Sequence, residues 1–92
     1  MYSVVSTSLY KKSLKKISKS GNFSLKEIEK VIDLLILGKK LPIKYQDHEL
    51  NGEFIGYREC HIKSDLLLIY KIEKENLILV LVDIGSHSQL FG

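Results

Sequence analysis

The chain has 92 residues, of which 45% are apolar and 27% are charged; this suits one small domain over residues 1–92 and excludes a disordered chain or a membrane-spanning one. A lone cysteine, Cys60, excludes an internal disulfide and a paired-cysteine metal site. The formal net charge is +3, and because the first residues form no basic and apolar leader, we expect a cytoplasmic protein.

The charge is distributed unevenly along the chain. Residues 1–40 hold nine lysines and three acidic residues, a local balance of +6. Residues 41–92 hold five basic and eight acidic residues, a local balance of −3. A strongly basic half favours a polyanionic partner, either nucleic acid or an acidic protein segment, although solvated helix faces are also commonly rich in lysine.

The predicted elements begin with a short strand over the β-prone residues 2–5, followed by a helix from Thr7 or Ser8. At about 100° per residue, one face of this helix is apolar and another is basic. The apolar residues are Tyr10, Leu14 and Ile17. The basic residues, which we call the lysine face, are Lys11, Lys12, Lys15, Lys16 and Lys19. Gly21 and Asn22 are predicted to end the helix.

A capping-box pattern predicts a second helix. Ser24 precedes Glu27 by three residues, the spacing at which the two side chains cap a helix start. Apolar residues then recur at helical spacing over residues 25–35, until Gly38 and Pro42 end the helix. This half of the chain is therefore predicted to form a strand and a two-helix hairpin.

From Asn51 the apolar pattern changes to that of strands. Three strands are predicted over residues 54–62, 66–73 and 77–84, with residues 74–76 closing a hairpin between the last two. The last two strands contain continuous apolar runs, which predict central positions in the sheet. The fold class is therefore α+β, with the N-terminal strand and the two-helix hairpin packed on an antiparallel sheet.

All three histidines, His48, His61 and His87, lie in the acidic half. Imidazole both takes and gives a proton near neutrality, so two converging histidines can serve as base and acid in metal-free RNA cleavage. One group removes the proton of a ribose 2′-hydroxyl, another protonates the leaving 5′-oxygen, and a cation stabilises the phosphorus. The candidate cations are Arg58, Lys63 and Lys44. A single histidine is more often structural or simply exposed, so only convergence favours catalysis.

The sequence gives weaker support to a metal site, a cysteine nucleophile or a cofactor site. The three histidines and Asp65 could supply zinc ligands, but they lie in different connections and lack the helical spacing of metal motifs, so we expect no metal. Strand alternation points Cys60 away from His61, which favours a packed small side chain over a nucleophile. The glycines form no phosphate-binding loop, so we expect no cofactor.

Four tracts of the sequence carry a family resemblance. They are YQDHELNG over residues 45–52, GYRECHI over 56–62, DLLLIY over 65–70 and GSHSQLF over 85–91. In this order and spacing the chain resembles the YafQ-type toxins of the RelE/ParE superfamily over nearly its whole length. The resemblance implies the superfamily fold, with a curled antiparallel sheet, which agrees with the order of elements predicted above.

The resemblance also implies an activity and partners. It implies a bacterial type II toxin, an endoribonuclease that enters the A site of the 70S ribosome and cleaves mRNA without a metal. A cognate antitoxin would wrap the toxin and keep it inactive. Operator DNA would be bound only by the toxin–antitoxin complex, and no membrane is implied.

Five residues match the active-site positions of this family. They are His48, His61, Asp65, His87 and Phe91. The resemblance implies that His48 and His87 form the acid–base pair and leaves open which is the base. His61 and Asp65 would hold the substrate phosphate or tune the histidines, and Phe91 would stack on a base. Arg58 and Lys63 are the expected substrate-binding cations.

Two positions depart from the family pattern. Asp83 stands where many members have an arginine, and an aspartate there would repel the substrate phosphate unless another cation takes over. Leu66 replaces the aromatic residue that follows the matched aspartate in some members. Asp83 favours an alternative, a non-catalytic relative such as a ParE-like gyrase poison or a decayed toxin that serves as an antitoxin-binding partner.

The lysine face gains a more definite role from the resemblance. A nuclease that works on the ribosome must bind a large polyanion, and five lysines on one helix suit rRNA phosphates. The same surface would attract an acidic antitoxin. A plain RNA-binding module is the weakest hypothesis, because it would leave residues 85–91 without a purpose.

Overall fold

The computed structural model describes residues 1–21 and 23–92, in which two helices pack against one face of a five-stranded sheet. The long helices are α1 (Ser8–Ile17) and α2 (Leu25–Ile36). The strands are β1 (Ser3–Ser6), β2 (His48–Glu49), β3 (Arg58–Lys63), β4 (Leu66–Glu73) and β5 (Ile78–Gly85). A short helix, α3 (His87–Phe91), follows β5, and two 3₁₀ turns span Ile43–Tyr45 and Gly52–Phe54.

The sheet has the order β1-β5-β4-β3-β2, so the two most apolar strands are interior. The strands β3, β4 and β5 form the antiparallel meander that the sequence predicts. The strand β1 pairs with β5 in the parallel direction, because the chain crosses over the sheet between them. The α+β architecture predicted from the sequence is therefore confirmed, with one parallel pair at its edge.

Side-chain caps start both long helices close to the predicted residues. The Thr7 hydroxyl accepts a hydrogen bond from the Tyr10 amide and donates one to the Val82 carbonyl, which ties the start of α1 to β5. The Ser24 hydroxyl accepts from the Glu27 amide at the start of α2. The predicted end of the first helix at Gly21 and Asn22 was too late: α1 ends at Ile17, so Lys19 follows the helix, and Asn22 itself lies outside the described residues. Among the described helices none is long and apolar enough to span a bilayer.

The core lies between the two helices and one face of the sheet. Alternate residues of the strands point into it. Its fully buried side chains include Ile28 and Val31 from α2 and Cys60, Leu68, Tyr70 and Leu79 from the strands. In β4 the residues that alternate with this set, Leu67 and Ile69, are buried as well, whereas Val80 and Val82 of β5 are only half-buried. The predicted central positions of both strands are confirmed, and β4 is the one buried on both faces.

The prediction of a strand over residues 54–62 was wrong in its first four residues. The strand β3 begins only at Arg58, and residues 52–54 form a 3₁₀ turn. Gly56 has a φ of +95°, a left-handed conformation that strands exclude. Phe54, which the alternating pattern assigned to a strand, instead packs against α3. Its ring and that of Phe91 lie edge to face, with their centres 5.5 Å apart.

Candidate functional site

Two of the three histidines converge on one buried carboxylate. His48 lies directly opposite Glu59 in the β2–β3 pairing, and its Nε2 is 3.6 Å from Glu59 Oε1. His61 lies two residues after Glu59, on the same face of β3, and its Nε2 is 3.4 Å from the same oxygen. The Glu59 side chain is only 6% exposed. Because a buried carboxylate needs polar partners, the two imidazoles supply them.

The backbone of the loop before β2 fixes the tautomer of His48. Its Nδ1 lies 2.7 Å from the Gln46 carbonyl oxygen. A carbonyl oxygen can only accept, so Nδ1 carries the hydrogen and donates it. Gln46 reaches this position in a left-handed conformation, with a φ of +49°. The nitrogen of His48 that can take a proton is therefore Nε2, which is beside Glu59.

The third histidine is held at the start of α3. The His87 amide donates a hydrogen bond to Asp65 Oδ1 at 2.9 Å, so Asp65 joins the β3–β4 turn to this helix. Ser86 and Gln89 cap the helix reciprocally: the serine hydroxyl accepts from the Gln89 backbone amide, and the side-chain Oε1 of Gln89 accepts from the Ser86 backbone amide. The His87 ring is exposed and lies 5.3 Å from the ring of Phe91.

The strand register places the histidines at one end of the sheet. His61 is paired with Leu67, and Leu67 is paired with Gly85, the last residue before the segment that carries His87. Two strand spacings separate these backbones by roughly 10 Å. The structure thus brings His48 and His61 together at Glu59 and sets His87 on the neighbouring edge of the same surface.

Arg58 is not brought to the histidines. Alternation along β3 directs its side chain away from the face that carries Glu59 and His61. Its guanidinium donates to Asp47 Oδ2 at 3.0 Å and pairs with Glu49 at 3.4 Å. The Tyr70 hydroxyl also donates to Asp47. The hydrogen bond to Asp47 raises the pKa of Arg58, and burial, followed by the bond to Asp47, raises that of Tyr70.

We call Asp47, Arg58 and Tyr70 the Asp47 cluster. It supports the site indirectly, through the backbone next to His48. Asp47 immediately precedes His48, and it is tied to the core through Tyr70, which is buried. The Arg58 guanidinium binds both carboxylate oxygens of Asp47, its Nε donating to Oδ1 and its Nη2 donating to Oδ2. The cluster therefore anchors the segment from which His48 extends to Glu59.

The remaining predicted cations, Lys44, Lys63 and the lysine face, line two cavities beside the β3–β4 turn. Lys63 and Lys44 share a cavity with His61. All five residues of the lysine face are exposed. Lys16 and Lys19 line a cavity of about 390 Å³ together with Asp65 and Ser86, so the lysine face reaches the segment that holds His87.

The residues that depart from the family pattern occupy different environments. Asp83 accepts a hydrogen bond from the Ile84 amide and shares a cavity of about 140 Å³ with Lys16 and Gln89. Leu66 is 2% exposed and belongs to the core, so it offers no surface to a base.

Cys60 is fully buried, and burial, followed by the charges of Asp47 and Glu59, raises the pKa of its thiol to about 12. Its predicted packing role is confirmed.

Sequence reasoning missed Glu59. The signal was present, because residues two apart in a strand share a face, so Glu59 had to accompany His61. The position of His48 opposite Glu59 could not be predicted, since β2 has only two residues and no apolar pattern of its own. Within residues 1–21 and 23–92, no group of three or more His, Cys, Asp and Glu side chains is arranged to hold a metal ion.

Comparison with known proteins identifies the family. Residues 2–92 match the model of the YafQ family, described as the bacterial toxin of a type II toxin–antitoxin system. The mRNA interferase toxin YafQ of Escherichia coli K12 is 33% identical over 78 residues, which cover 84% of this chain and 83% of that protein.

Solved structures show the same fold. A metal-bound toxin from Helicobacter pylori is 44% identical, with a TM-score of 0.91 over 99% of this chain and 100% of the other. The toxin in the E. coli DinJ–YafQ complex is 29% identical, with a TM-score of 0.88 over the full length of both chains. The family match over residues 2–92, together with these two structures, shows that the chain belongs to the YafQ family of type II toxins.

Proposed function

We propose that this toxin is a ribosome-dependent endoribonuclease that cleaves mRNA in the A site by metal-independent acid–base catalysis. The observation that carries the proposal is the convergence of His48 and His61 on the buried Glu59, with His87 on the adjoining edge of the sheet. The E. coli relative is named an mRNA interferase, which supports the same reaction class.

The geometry suits a division of roles among the histidines. Nε2 of His48 removes the proton of a ribose 2′-hydroxyl, and the Glu59 carboxylate beside it stabilises the imidazolium that forms. The 2′-oxygen attacks phosphorus and the bond to the 5′-oxygen breaks. His87, which is exposed, gives its proton to that oxygen. The products are a 2′,3′-cyclic phosphate and a 5′-hydroxyl, so protons and bonds balance.

The remaining site residues bind and position the substrate. His61, held by Glu59 at 3.4 Å, faces the substrate phosphate. Asp65 fixes the amide of His87 and so the start of α3. The ring of Phe91 packs against Phe54 and lies beside His87, where a base can stack on it.

Partners of the toxin follow from its surface and its relatives. The lysine face is exposed, with four of its lysines on α1 and Lys19 just after it, and provides sequence-independent contacts to rRNA in the 70S ribosome. Because a relative forms a DinJ–YafQ complex, we propose a cognate antitoxin as the inhibitory partner and operator DNA as a ligand of that complex alone. The compartment proposed is the cytoplasm, where ribosomes and mRNA meet the toxin.

The metal independence of the reaction requires its own test, because a related H. pylori toxin is metal-bound. Ribosomes need Mg²⁺, so the chelator is 1,10-phenanthroline, which removes zinc and copper and leaves magnesium. Cleavage on programmed ribosomes is expected to continue at an unchanged rate. Loss of cleavage that added zinc or copper restores would contradict metal independence.

The proposed activity is tested by expression in a bacterial host, with cleavage mapped by primer extension. Wild type is expected to arrest growth and cut mRNA within codons in the A site, whereas His87→Ala is expected to do neither. His87 is exposed, so this variant folds normally, and thermal unfolding checks that it does. Equal toxicity of the two proteins would count against the proposal.

A second candidate is a non-catalytic member of the superfamily, either a gyrase poison or a decayed toxin that binds an antitoxin. The observation that favours it is Asp83, which places a carboxylate beside Lys16 and Gln89 near the start of α3. The same expression experiment separates the two candidates. A gyrase poison would arrest growth without mRNA cleavage, and a decayed toxin would leave growth unchanged.

A further inference from the structure

A second basic cavity lies on the far side of the β3–β4 turn from the lysine face. Its volume is about 250 Å³, and its walls come from the 3₁₀ turn Ile43–Tyr45, the end of β3 and the start of α2. The polar side chains in its lining are Glu27, Lys44, Gln46, His61, Lys63 and Ser64. We call it the Lys44–Lys63 cavity.

The charge of this cavity suits an anion. Two lysines face one carboxylate, Glu27, and neither Lys44 nor Lys63 forms an ion pair with any of the described carboxylates. Lys44 Nζ lies 5.1 Å from the centre of the Tyr45 ring, a contact that keeps this ammonium at the cavity wall. Lys63 is half-buried at the end of β3, so its position is more restricted than that of a free surface lysine.

The position of the cavity connects it with the catalytic residues. His61 lines it, and the same imidazole contacts Glu59. On the other side of the turn, Asp65 lines the cavity that holds Lys16 and Lys19. Ser64 lines the Lys44–Lys63 cavity and the next residue, Asp65, lines the other basic cavity and also accepts the hydrogen bond of the His87 amide. A polyanionic strand that crosses the turn would find cations on both sides.

We infer that the Lys44–Lys63 cavity binds the phosphate of an RNA nucleotide adjacent to the one that is cleaved. The inference rests on the proposed nuclease function and adds to it a second phosphate site, formed by Lys44 and Lys63, that adjoins the first at His61. RNA is favoured over an acidic protein segment because a histidine of the catalytic surface forms part of the cavity wall.

The test measures binding, so it does not depend on catalysis. The probe is a fluorescent hexanucleotide with 2′-O-methyl groups, which the toxin cannot cleave, and a neutral methylphosphonate replaces one linkage at a time. The proteins are wild type, Lys44→Gln/Lys63→Gln, and the control Lys39→Gln/Lys40→Gln. The control removes the same charge from two exposed lysines outside the cavity. Glutamine keeps most of the aliphatic stem, so packing is preserved.

For wild type and the control, we expect one methylphosphonate position to weaken binding by about tenfold. For Lys44→Gln/Lys63→Gln, we expect weaker binding of the unmodified RNA, no further loss at that position, and a salt dependence whose slope is smaller by about 0.7. The inference is overturned if the two double variants behave alike, or if wild type does not bind the RNA.

Two further outcomes distinguish RNA binding in the cavity from binding of an acidic protein, and from failure of the proposed nuclease function. A poly-glutamate peptide that binds wild type but not Lys44→Gln/Lys63→Gln, with RNA binding equal in both, would overturn it in favour of a protein ligand. If the cavity-specific RNA binding is present but programmed ribosomes show no cleavage, the phosphate site stands and the proposed nuclease function fails.

Discussion

At the scale of single residues, Glu59 organises the site, although it is not one of the histidines that first attract attention. Its buried carboxylate is the common partner of His48 and His61. Its burial matters because a carboxylate in a low-dielectric position interacts more strongly with an imidazolium than an exposed one does. We therefore assign Glu59 as a positioning residue that acts through the two histidines.

The variant Glu59→Gln tests this assignment. It keeps the size of the side chain and removes its charge, so we expect a folded protein whose cleavage rate falls by about 100-fold. The rate is measured in single turnover on programmed ribosomes between pH 6 and pH 9, and the shape of the pH profile is expected to change with it. Glu75→Gln, in the exposed β4–β5 turn, is the control. A uniform loss of rate with an unchanged profile would indicate a merely structural role.

Two buried tyrosines allow the contribution of the hydrogen bond to Asp47 to be measured against a control. The Tyr70 hydroxyl donates to Asp47, whereas the Tyr45 hydroxyl has no hydrogen-bond partner among the described residues. We expect Tyr70→Phe to lower the free energy of unfolding by about 1–2 kcal/mol, and Tyr45→Phe to leave it unchanged or raise it slightly. Urea unfolding measures both. Equal losses would show that the hydrogen bond to Asp47 contributes nothing to stability.

At the scale of elements, the sequence predicts the helices and β4 closely and the start of β3 poorly. Helical apolar spacing and the caps at Thr7 and Ser24 place both helix starts, because these signals are local. The break at Gly56 depends on a left-handed backbone that an alternating pattern does not reveal. The parallel direction of β1 and the turning of Arg58 toward Asp47 depend on tertiary contacts. Such contacts override local patterns.

The lysines of α1 are expected to contact ribosomal RNA. Replacing four residues of the lysine face, Lys11, Lys12, Lys15 and Lys16, with glutamate is expected to abolish association with 70S ribosomes at moderate salt, because phosphate contacts are lost and repulsion replaces them. The protein is expected to remain folded, since all four side chains are exposed. The measurement is co-sedimentation over a range of salt concentrations.

The control for this variant changes the charge by the same amount elsewhere. It replaces Lys26, Lys30, Lys39 and Lys40, which are also exposed, with glutamate. We expect it to retain most of its ribosome binding. If both variants sediment with ribosomes as wild type does, the lysine face is not the ribosome-binding surface.

At the scale of the whole molecule, charge and chemistry are divided between two parts of one small fold. The basic first half supplies the lysine face, on α1 and directly after it, and the acidic second half supplies the strands and turns that carry the histidines. The two parts meet where Lys16 and Lys19 share a cavity with Asp65 and Ser86. The modest net charge of +3 is therefore the sum of a basic surface and a neighbouring acidic part that carries the three histidines.

The proposed mechanism requires that histidines activate the 2′-hydroxyl of the substrate RNA itself. The most direct test is cleavage of an mRNA on programmed ribosomes with a single 2′-deoxynucleotide at the cleaved position, compared with the all-RNA message. Wild-type toxin is expected to cut the all-RNA message to a 2′,3′-cyclic phosphate and to leave the deoxy-substituted message intact. Cleavage of both messages at similar rates would contradict the mechanism, because water or another nucleophile would then be attacking the phosphate.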